Sequence, residues 1–202
     1  MKKLSLAFYK RKDVVEIAKN LLGKIIVTNV DGNITSARIV ETEAYVAFVD
    51  KASHAYKGKR TNRNEAMYAA AGAVYVYICY GIHHMLNIVT NDFNVPDAIL
   101  IRALEPINGI DIMLERTNKK ILDSTLTKGP GNVAKALGIT KNLSGLLLGN
   151  ELINIYKDDF SIEQNEIGIS KRIGINSAGA DALLPYRFFI KGNKFVTGKP
   201  GK

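Results

Sequence analysis

The chain has 202 residues, 47% of them hydrophobic and 23% charged, which excludes a disordered, collagen-like or coiled-coil protein. Lys and Arg outnumber Asp and Glu by 28 to 19, and the net charge of +9 favours a polyanionic partner, either nucleic acid or an anionic membrane surface. The single cysteine, Cys79, excludes an internal disulfide and a cysteine-rich metal site, and it suits a reducing compartment. No apolar stretch forms a secretory signal or reaches membrane-spanning length, so we expect a cytoplasmic protein.

The first half of the chain predicts two helices and two hairpins. A helix over 13–22 begins with the capping residue Asp13 and ends at Gly23. Strands over 24–30 and 34–45 flank the turn Asp31-Gly32. A short helix over 61–71 follows, and strands over 73–79 and 84–90 then flank Tyr80-Gly81.

The second half predicts a strand over 97–104, stopped by Pro106, and a helix over 107–116. A polar loop over 117–128 leads to a short helix over 133–137, entered through Gly129-Pro130, whose N-terminus could bind an anion. Strands are predicted over 151–156 and 187–191, and residues 1–8 and 198–202 are expected to be flexible. Paired strands with interspersed helices predict one mixed α/β (α+β) domain over 1–202, with an antiparallel or mixed sheet and flanking helices.

The segment Glu41-Thr42-Glu43 is the densest chemical feature. Alternation along a strand would send both carboxylates to the face on which Ile39 lies. One interpretation is a solvated strand end, and the other is a desolvated general base whose pKa is tuned by burial and a nearby cation.

Aromatic residues follow this segment. Tyr75 and Tyr77 share a face by alternation, and Tyr80 lies at the hairpin turn. Such tyrosines are often plain core or cross-strand packing. In a basic protein, however, an exposed ring at a hairpin tip is suited to act as a wedge between stacked bases.

Two further groups of residues are open to a functional interpretation. The basic run Lys57, Lys59, Arg60 and Arg63 could contact phosphates or form an ordinary solvated loop. His54, His83 and His84 could suggest a metal, but adjacent histidines on a strand point to opposite faces and no acidic helix motif accompanies them. We therefore expect no metal site.

Six separated motifs, in order and spacing, resemble the alkyladenine (3-methyladenine) DNA glycosylase family. They are Ile39-Val-Glu-Thr-Glu-Ala-Tyr45, Thr61-Asn-Arg-Asn64, Tyr75-Val-Tyr-Ile-Cys-Tyr-Gly81 with Asn87, Ile101-Arg-Ala-Leu-Glu-Pro106, Gly129-Pro130 and Lys171-Arg-Ile-Gly-Ile175. The similarity extends from the first helix to the last strand. It implies a mixed α/β domain with a hairpin that enters the DNA minor groove.

The resemblance also implies a role for each matching residue. Glu43 would be the general base that deprotonates a water for attack at the sugar C1′, while Arg102 and the Ile173 carbonyl hold that water. Tyr45, Tyr77 and His54 would contact the flipped base, and Asn87 would reject guanine by a clash with its 2-amino group. Tyr80 would fill the gap left by the flipped nucleotide, and the other expected DNA contacts are Ile82, His83, Arg60, Thr61 and Arg63.

The resemblance implies duplex DNA with a damaged purine as partner, with no cofactor and no obligate protein partner. Because no lysine replaces Glu43, we expect a monofunctional enzyme that does not nick the strand. Asn62, Ile82 and His83 depart from the family pattern and leave the fit to the groove open. The alternatives are a non-catalytic nucleic-acid-binding module and, less favoured, a membrane-surface protein.

Overall fold

The computed structural model describes residues 1–198, which form one open antiparallel sheet with helices packed on it. In chain order the strands are β1 (Lys2–Lys3), β2 (Ile25–Val30), β3 (Asn33–Tyr45), β4 (Val74–Cys79), β5 (His83–Thr90), β6 (Asp97–Asn108), β7 (Ile153–Lys157), β8 (Ile167–Ser170) and β9 (Arg187–Ile190). The α-helices are α1 (Leu6–Tyr9), α2 (Val14–Asn20), α3 (Ile110–Thr117) and α4 (Pro130–Leu137). Short 3₁₀ segments cover Glu65–Tyr68, Ser124–Leu126, Lys141–Leu143, Gln164–Glu166 and Asn176–Leu183.

The strand order across the sheet is β1-β7-β2-β3-β6-β5-β4, with β9 pairing both β3 and β8. Strand β3 is therefore central, and the hairpin β4–β5 forms one edge. Ile, Val and Thr dominate β2 and recur along β3, as expected for residues that pack well on a pleated, half-buried surface. The predicted mixed α/β fold with an antiparallel sheet is confirmed.

The two faces of the sheet carry different cores. One face packs against α2, α3 and α4 in the largest cluster, which includes Ile17, Ile39, Ile101 and Leu137. The opposite face carries two smaller clusters, one around Tyr75 and one around Phe189. Alternate residues of β4 and β6 divide between the faces, so the second face is free to carry polar side chains between its two small cores.

Strand β6 is longer than predicted. It continues through Pro106 to Asn108, because Pro106 pairs with Ala37 at a register shift, where a missing N–H is tolerated. The next helix begins at Ile110, not 107, after Gly109 with a φ of +68°. The prediction that Pro106 ends the strand was wrong.

Other boundaries also differ. The helix predicted over 61–71 is only the 3₁₀ turn Glu65–Tyr68, the helix predicted over 133–137 begins at Pro130, and β8 has no counterpart in the prediction. Residues 1–8, which were expected to be flexible, contain β1, which pairs with β7, and most of α1. The expected tail over 198–202 lies outside the described residues except for Gly198. No helix within residues 1–198 is long and apolar enough to cross a membrane.

Candidate active site

The site is built on one row of directly opposed residues. Tyr75 of β4 faces Asn87 of β5, which faces Leu100 of β6, which in turn faces Glu43 of β3. Arg187 of β9 completes the row opposite Glu43. Directly opposed residues of antiparallel strands share a face, so the register alone brings these five side chains to the face opposite the helices.

An irregularity in the pairing of β3 with β6 shapes the carboxylate end of this row. The register shifts between Ile39 and Glu41 and again between Glu41 and Thr42, which leaves Arg102 opposite no residue of β3. Ile39 packs in the core on the helix side, where the Thr42 hydroxyl donates to the Ala18 carbonyl. The expectation that Ile39 shares a face with both carboxylates was wrong, because bulges interrupt simple alternation.

Glu43 is fully buried and held on both carboxylate oxygens. Its Oε1 accepts from the Ile173 backbone N–H at 2.9 Å and lies 3.5 Å from Arg102 Nη1, and its Oε2 accepts from the Tyr45 hydroxyl at 2.8 Å. Burial raises the pKa of the Glu43 carboxyl above its usual value, although Arg102 and both hydrogen bonds oppose the rise. The observed Ile173 contact is through its N–H, whereas the resemblance implied a role for its carbonyl.

Glu41 is a second fully buried carboxylate, fixed by a separate set of donors. Arg187 Nε donates to Oε1 at 2.6 Å, and the Thr197 N–H donates to Oε2 at 2.7 Å. Arg102 Nε lies 3.2 Å from the same Oε1, so the Arg102 guanidinium sits between the two carboxylates. A buried charge needs such partners, and the two carboxylates together balance the buried Arg102 guanidinium, whose Nε makes no hydrogen bond.

A cavity of about 320 Å³ has Tyr45 in its wall. It is lined by Tyr45, Lys51, Ala52, Ser53, His54, Arg63, Met67, Tyr75, Tyr77, Cys79, Asn87, Ala98, Gly174, Ile175, Ser177 and Ala178. Four of the predicted base contacts, Tyr45, His54, Tyr77 and Asn87, are thus brought together. A larger cavity of about 900 Å³, between the hairpin and α4, contains neither these residues nor the buried carboxylates.

Three aromatic side chains of the cavity, Tyr75, Tyr77 and His54, contact one another. Tyr75 and Tyr77 lie with ring centroids 5.6 Å apart, which confirms that they share a face. His54 packs edge-on against Tyr77 at 4.6 Å, and its Nδ1 is 2.8 Å from the Tyr75 hydroxyl. Burial, with smaller contributions from the charges of Arg63 and Lys59, lowers the pKa of His54 to about 4, and burial raises the pKa of Tyr77 to about 12. Burial raises the pKa of Tyr75 as well, so His54, Tyr75 and Tyr77 are all neutral at physiological pH.

Asn87 has a fixed orientation at the cavity wall. Its Nδ2 donates to the backbone carbonyls of Tyr75 and Met85, both at 3.2 Å. With both N–H groups engaged, the side chain can offer only its carbonyl oxygen to a bound molecule.

A buried ion pair that the sequence motifs did not predict supports Tyr45. Arg172 lies 4.6 Å from the Tyr45 ring centroid, and its guanidinium pairs with Asp50, Nη2 donating to Oδ1 at 2.8 Å. The same guanidinium donates to the Ala44 carbonyl at 2.8 Å. Arg172 lies next to Ile173 in the motif Lys171-Arg-Ile-Gly-Ile175, and the motif could have identified it as a site residue. Asp50 belongs to none of the six motifs.

The tip of the β4–β5 hairpin projects into solvent. Tyr80 is 89% exposed and Ile82 is 72% exposed, and His83 is also exposed at the start of β5. Tyr80 has a φ of +51°, and the following Gly81 has a φ of +75°. A bulky residue in the left-handed region is uncommon, and such strain is typical of functional positions.

The basic run divides into residues with different surroundings. Arg60 is bound to Glu65, with its Nε donating to Oε2 at 2.9 Å, and lies outside the cavity. Thr61 donates through its N–H and hydroxyl to the Asn64 side chain. Arg63, predicted as a DNA contact, is exposed and lines the cavity, 5.4 Å from the Tyr77 ring centroid. Among residues 1–198 no three His, Cys, Asp or Glu side chains are grouped so as to hold a metal ion.

The fold and this site define a class of protein in which a buried carboxylate and an aromatic cavity lie on one face of a sheet, and the tip of a hairpin at the sheet edge is exposed. The methylpurine-DNA glycosylase (MPG) family profile matches residues 7–194. A Clostridium perfringens (strain 13) protein named "Putative 3-methyladenine DNA glycosylase" is 44% identical over 95% of this chain and 97% of its own length. Proteins of the same name from Bacillus cereus (strain G9842) and Desulfitobacterium hafniense (strain Y51) are 43% and 42% identical, over 96% and 98% of this chain and 98% and 100% of their own lengths.

The chain therefore belongs to the methylpurine-DNA glycosylase family, and the resemblance read from its motifs is confirmed. Membership makes it a DNA glycosylase of base-excision repair.

Proposed function

We propose that this protein flips alkylated, and also deaminated, purines out of duplex DNA and hydrolyses the N-glycosidic bond with a water activated by Glu43. The observation that carries the proposal is the fully buried Glu43 carboxylate, which accepts a hydrogen bond from Tyr45, a residue that lines an aromatic cavity. That cavity, about 320 Å³, falls within the range of about 300–1,000 Å³ typical of small-molecule sites.

The carboxylate has two tasks in this reaction. Glu43 takes a proton from water as the oxygen attacks C1′, the bond from C1′ to the base nitrogen breaks, and the base leaves with the bonding electrons. Because positive charge develops on the sugar, a nearby carboxylate also stabilises the transition state. Hydrogen bonds from the Ile173 N–H and the Tyr45 hydroxyl, at 2.9 Å and 2.8 Å, keep Glu43 in one orientation, and Arg102 adds a positive charge 3.5 Å from it.

The cavity residues hold the extruded base. Tyr45 and Tyr77 offer aromatic surfaces, while neutral His54 and the fixed Asn87 offer polar contacts at the edge. Damaged or mispaired nucleotides cost less to extrude, so flipping itself selects them. The exposed Tyr80 at the hairpin tip is suited to fill the space that the base leaves in the duplex.

Substitution of the proposed base tests the mechanism directly. Glu43→Gln keeps an oxygen that can accept from the Ile173 N–H but removes the proton acceptor, and we expect base release to fall by about 10²–10⁴-fold. Binding to a duplex that carries hypoxanthine or 3-methyladenine should change by less than about threefold. Single-turnover release of the base and fluorescence anisotropy of the duplex measure the two quantities.

The outcomes separate the proposal from its rival. Unchanged excision by Glu43→Gln would remove the mechanism. Binding that does not depend on a lesion, with no free base from the wild type, is the result expected of a non-catalytic nucleic-acid-binding module.

A further inference from the structure

We infer that Arg187 is a positioning residue for the proposed general base: by neutralising Glu41, it leaves the Arg102 guanidinium available to Glu43. The inference rests on the proposed function, because it concerns the carboxylate that activates water there. Among the described residues, the hydrogen-bond partners of the Arg187 guanidinium do not include Glu43, and Arg187 does not line the aromatic cavity. Its effect on Glu43 therefore passes through Glu41 and Arg102.

The Arg102 guanidinium is held between two carboxylates mainly by charge. Its Nε lies 3.2 Å from Glu41 Oε1, and its Nη1 lies 3.5 Å from Glu43 Oε1. The buried Nε makes no hydrogen bond within residues 1–198. A cation held in this way is attracted to each carboxylate according to the charge that other groups leave uncompensated. The share of the Arg102 charge that acts on Glu43 thus depends on how well Glu41 is neutralised by its other partners.

Arg187 supplies that neutralisation from the other side of the central strand. It comes from β9, whereas Arg102 comes from β6, and β3 with Glu41 lies between these two strands. Arg187 Nε donates to Glu41 Oε1 at 2.6 Å, and its Nη1 and Nη2 donate to the Ser170 hydroxyl at 2.9 Å and the Thr197 carbonyl at 2.6 Å. Because all three guanidinium nitrogens are engaged and the residue is buried, Arg187 is fixed on Glu41.

The other ionisable groups near Glu43 add little net charge. The Tyr45 hydroxyl donates to Glu43, and burial raises the pKa of Tyr45, so this group stays neutral; burial likewise raises the pKa of Tyr77 to about 12. The cation Arg172, next to Tyr45, is paired with Asp50. What remains is a balanced set of two buried carboxylates and two buried guanidiniums, namely Glu41, Glu43, Arg102 and Arg187.

This balance predicts opposite effects when one charge or the other is removed from the Glu41–Arg187 pair. In Glu41→Gln, Arg102 faces no second carboxylate, so Glu43 should stay ionised to lower pH. In Arg187→Gln, two carboxylates compete for Arg102, which lies nearer to Glu41, so Glu43 should take up a proton at higher pH. The double variant loses one charge of each sign, and the two effects should cancel.

The pH dependence of single-turnover base release measures these shifts. The substrate is a duplex carrying 7-methylguanine, whose base is already cationic and needs no proton in order to leave, so the acid limb of the profile reports the general base. We expect this limb to move down by about one pH unit in Glu41→Gln and up by about one pH unit in Arg187→Gln. In the double variant it should return to within about 0.3 pH units of wild type. Enzyme-free controls at each pH correct for spontaneous loss of 7-methylguanine.

Two further variants separate the charge of Arg187 from its contribution to the fold. Arg187→Lys keeps the charge but loses the planar set of donors, and its acid limb should stay within about half a pH unit of wild type. Arg38→Gln is the matched control for lost stability, since Arg38 is a partly buried arginine of β3 whose ion pair with Asp158 shares no residue with the site. We expect no shift of its acid limb.

Coinciding acid limbs in wild type, Glu41→Gln and Arg187→Gln, or shifts of the same sign, would overturn the inference. If a single variant does not fold, the comparison rests on the double variant and Arg187→Lys, which leave the buried charges balanced. An acid limb displaced by about one pH unit or more in either of these would overturn the inference, and coinciding limbs support it. A wild type that releases no base, or a Glu43→Gln variant as active as wild type, would overturn the proposed function itself.

Discussion

His54 shows how one residue links the chemistry of the cavity to the stability of the fold. Its Nδ1 contact with the Tyr75 hydroxyl, at 2.8 Å, and its packing on Tyr77 place the imidazole among groups that stay neutral. Burial lowers its pKa to about 4, below the ordinary value of 6.5. A neutral ring beside a flipped base can both donate and accept a hydrogen bond, which an imidazolium cannot.

The lowered pKa predicts a pH dependence of stability with a definite sign. Between pH 4 and 6.5 the unfolded chain binds a proton at His54 that the folded chain does not. The stabilisation by neutral His54 is therefore complete above pH 6.5 and is lost as the pH falls toward 4. We expect wild type to lose about 1–2 kcal/mol more than His54→Gln between pH 7 and pH 5.

Urea unfolding of both proteins at the two pH values measures this difference, because other titrating groups cancel in the comparison. An imidazole that titrates near 6.5 by NMR, together with equal losses in the two proteins, would contradict it.

The hairpin β4–β5 is the element on which DNA distortion would depend. Tyr80 and Gly81 both have positive φ at its turn, and the Ile82 N–H donates to the Cys79 carbonyl. This tight turn holds the Tyr80 ring away from the rest of the protein, at 89% exposure. An apolar ring held in this way can replace a base in the stack.

We expect Tyr80→Ser to weaken both flipping and lesion binding by about tenfold, because unstacking costs a few kcal/mol that the ring would partly offset. Tyr80→Phe keeps the ring and should stay within about threefold of wild type. Fluorescence of 2-aminopurine placed next to the lesion reports flipping. The same signal in wild type and Tyr80→Ser would rule out the wedge role.

The hairpins and the catalytic motif could be predicted from sequence because their signals are local. Tyr80-Gly81 sits between two apolar strands, and Glu43 lies within a contiguous motif. The partners that fix the site are not local: Arg187 pairs with Glu41 across 146 residues, and Arg172 pairs with Asp50 across 122. Such pairs follow from the strand order, which no periodicity encodes. The bulge that re-aims Arg102 likewise depends on the register between two strands.

At the scale of the whole molecule, the positions of the positive charges matter more for DNA binding than the net charge of +9. The sheet order places the hairpin at one edge and β1, with Lys2 and Lys3, at the other. Lys57 and Lys59 are exposed on the loop between His54 and Arg63, beside the cavity. Only charges on the hairpin side can lie near the phosphates of a duplex that the hairpin enters.

A salt titration distinguishes these two sets of lysines. Each phosphate contact contributes about −0.9 to the slope of the logarithm of the binding constant against the logarithm of the salt concentration. We expect the Lys57→Gln, Lys59→Gln double variant to reduce the magnitude of this slope by about 1.8 on lesion-free duplex. The Lys2→Gln, Lys3→Gln double variant has the same net charge as the Lys57→Gln, Lys59→Gln variant, but it loses two positive charges at the opposite edge of the sheet. The slope of this control variant should match that of wild type. Equal reductions in the two double variants would mean that the protein binds DNA through its net charge, with no preferred face.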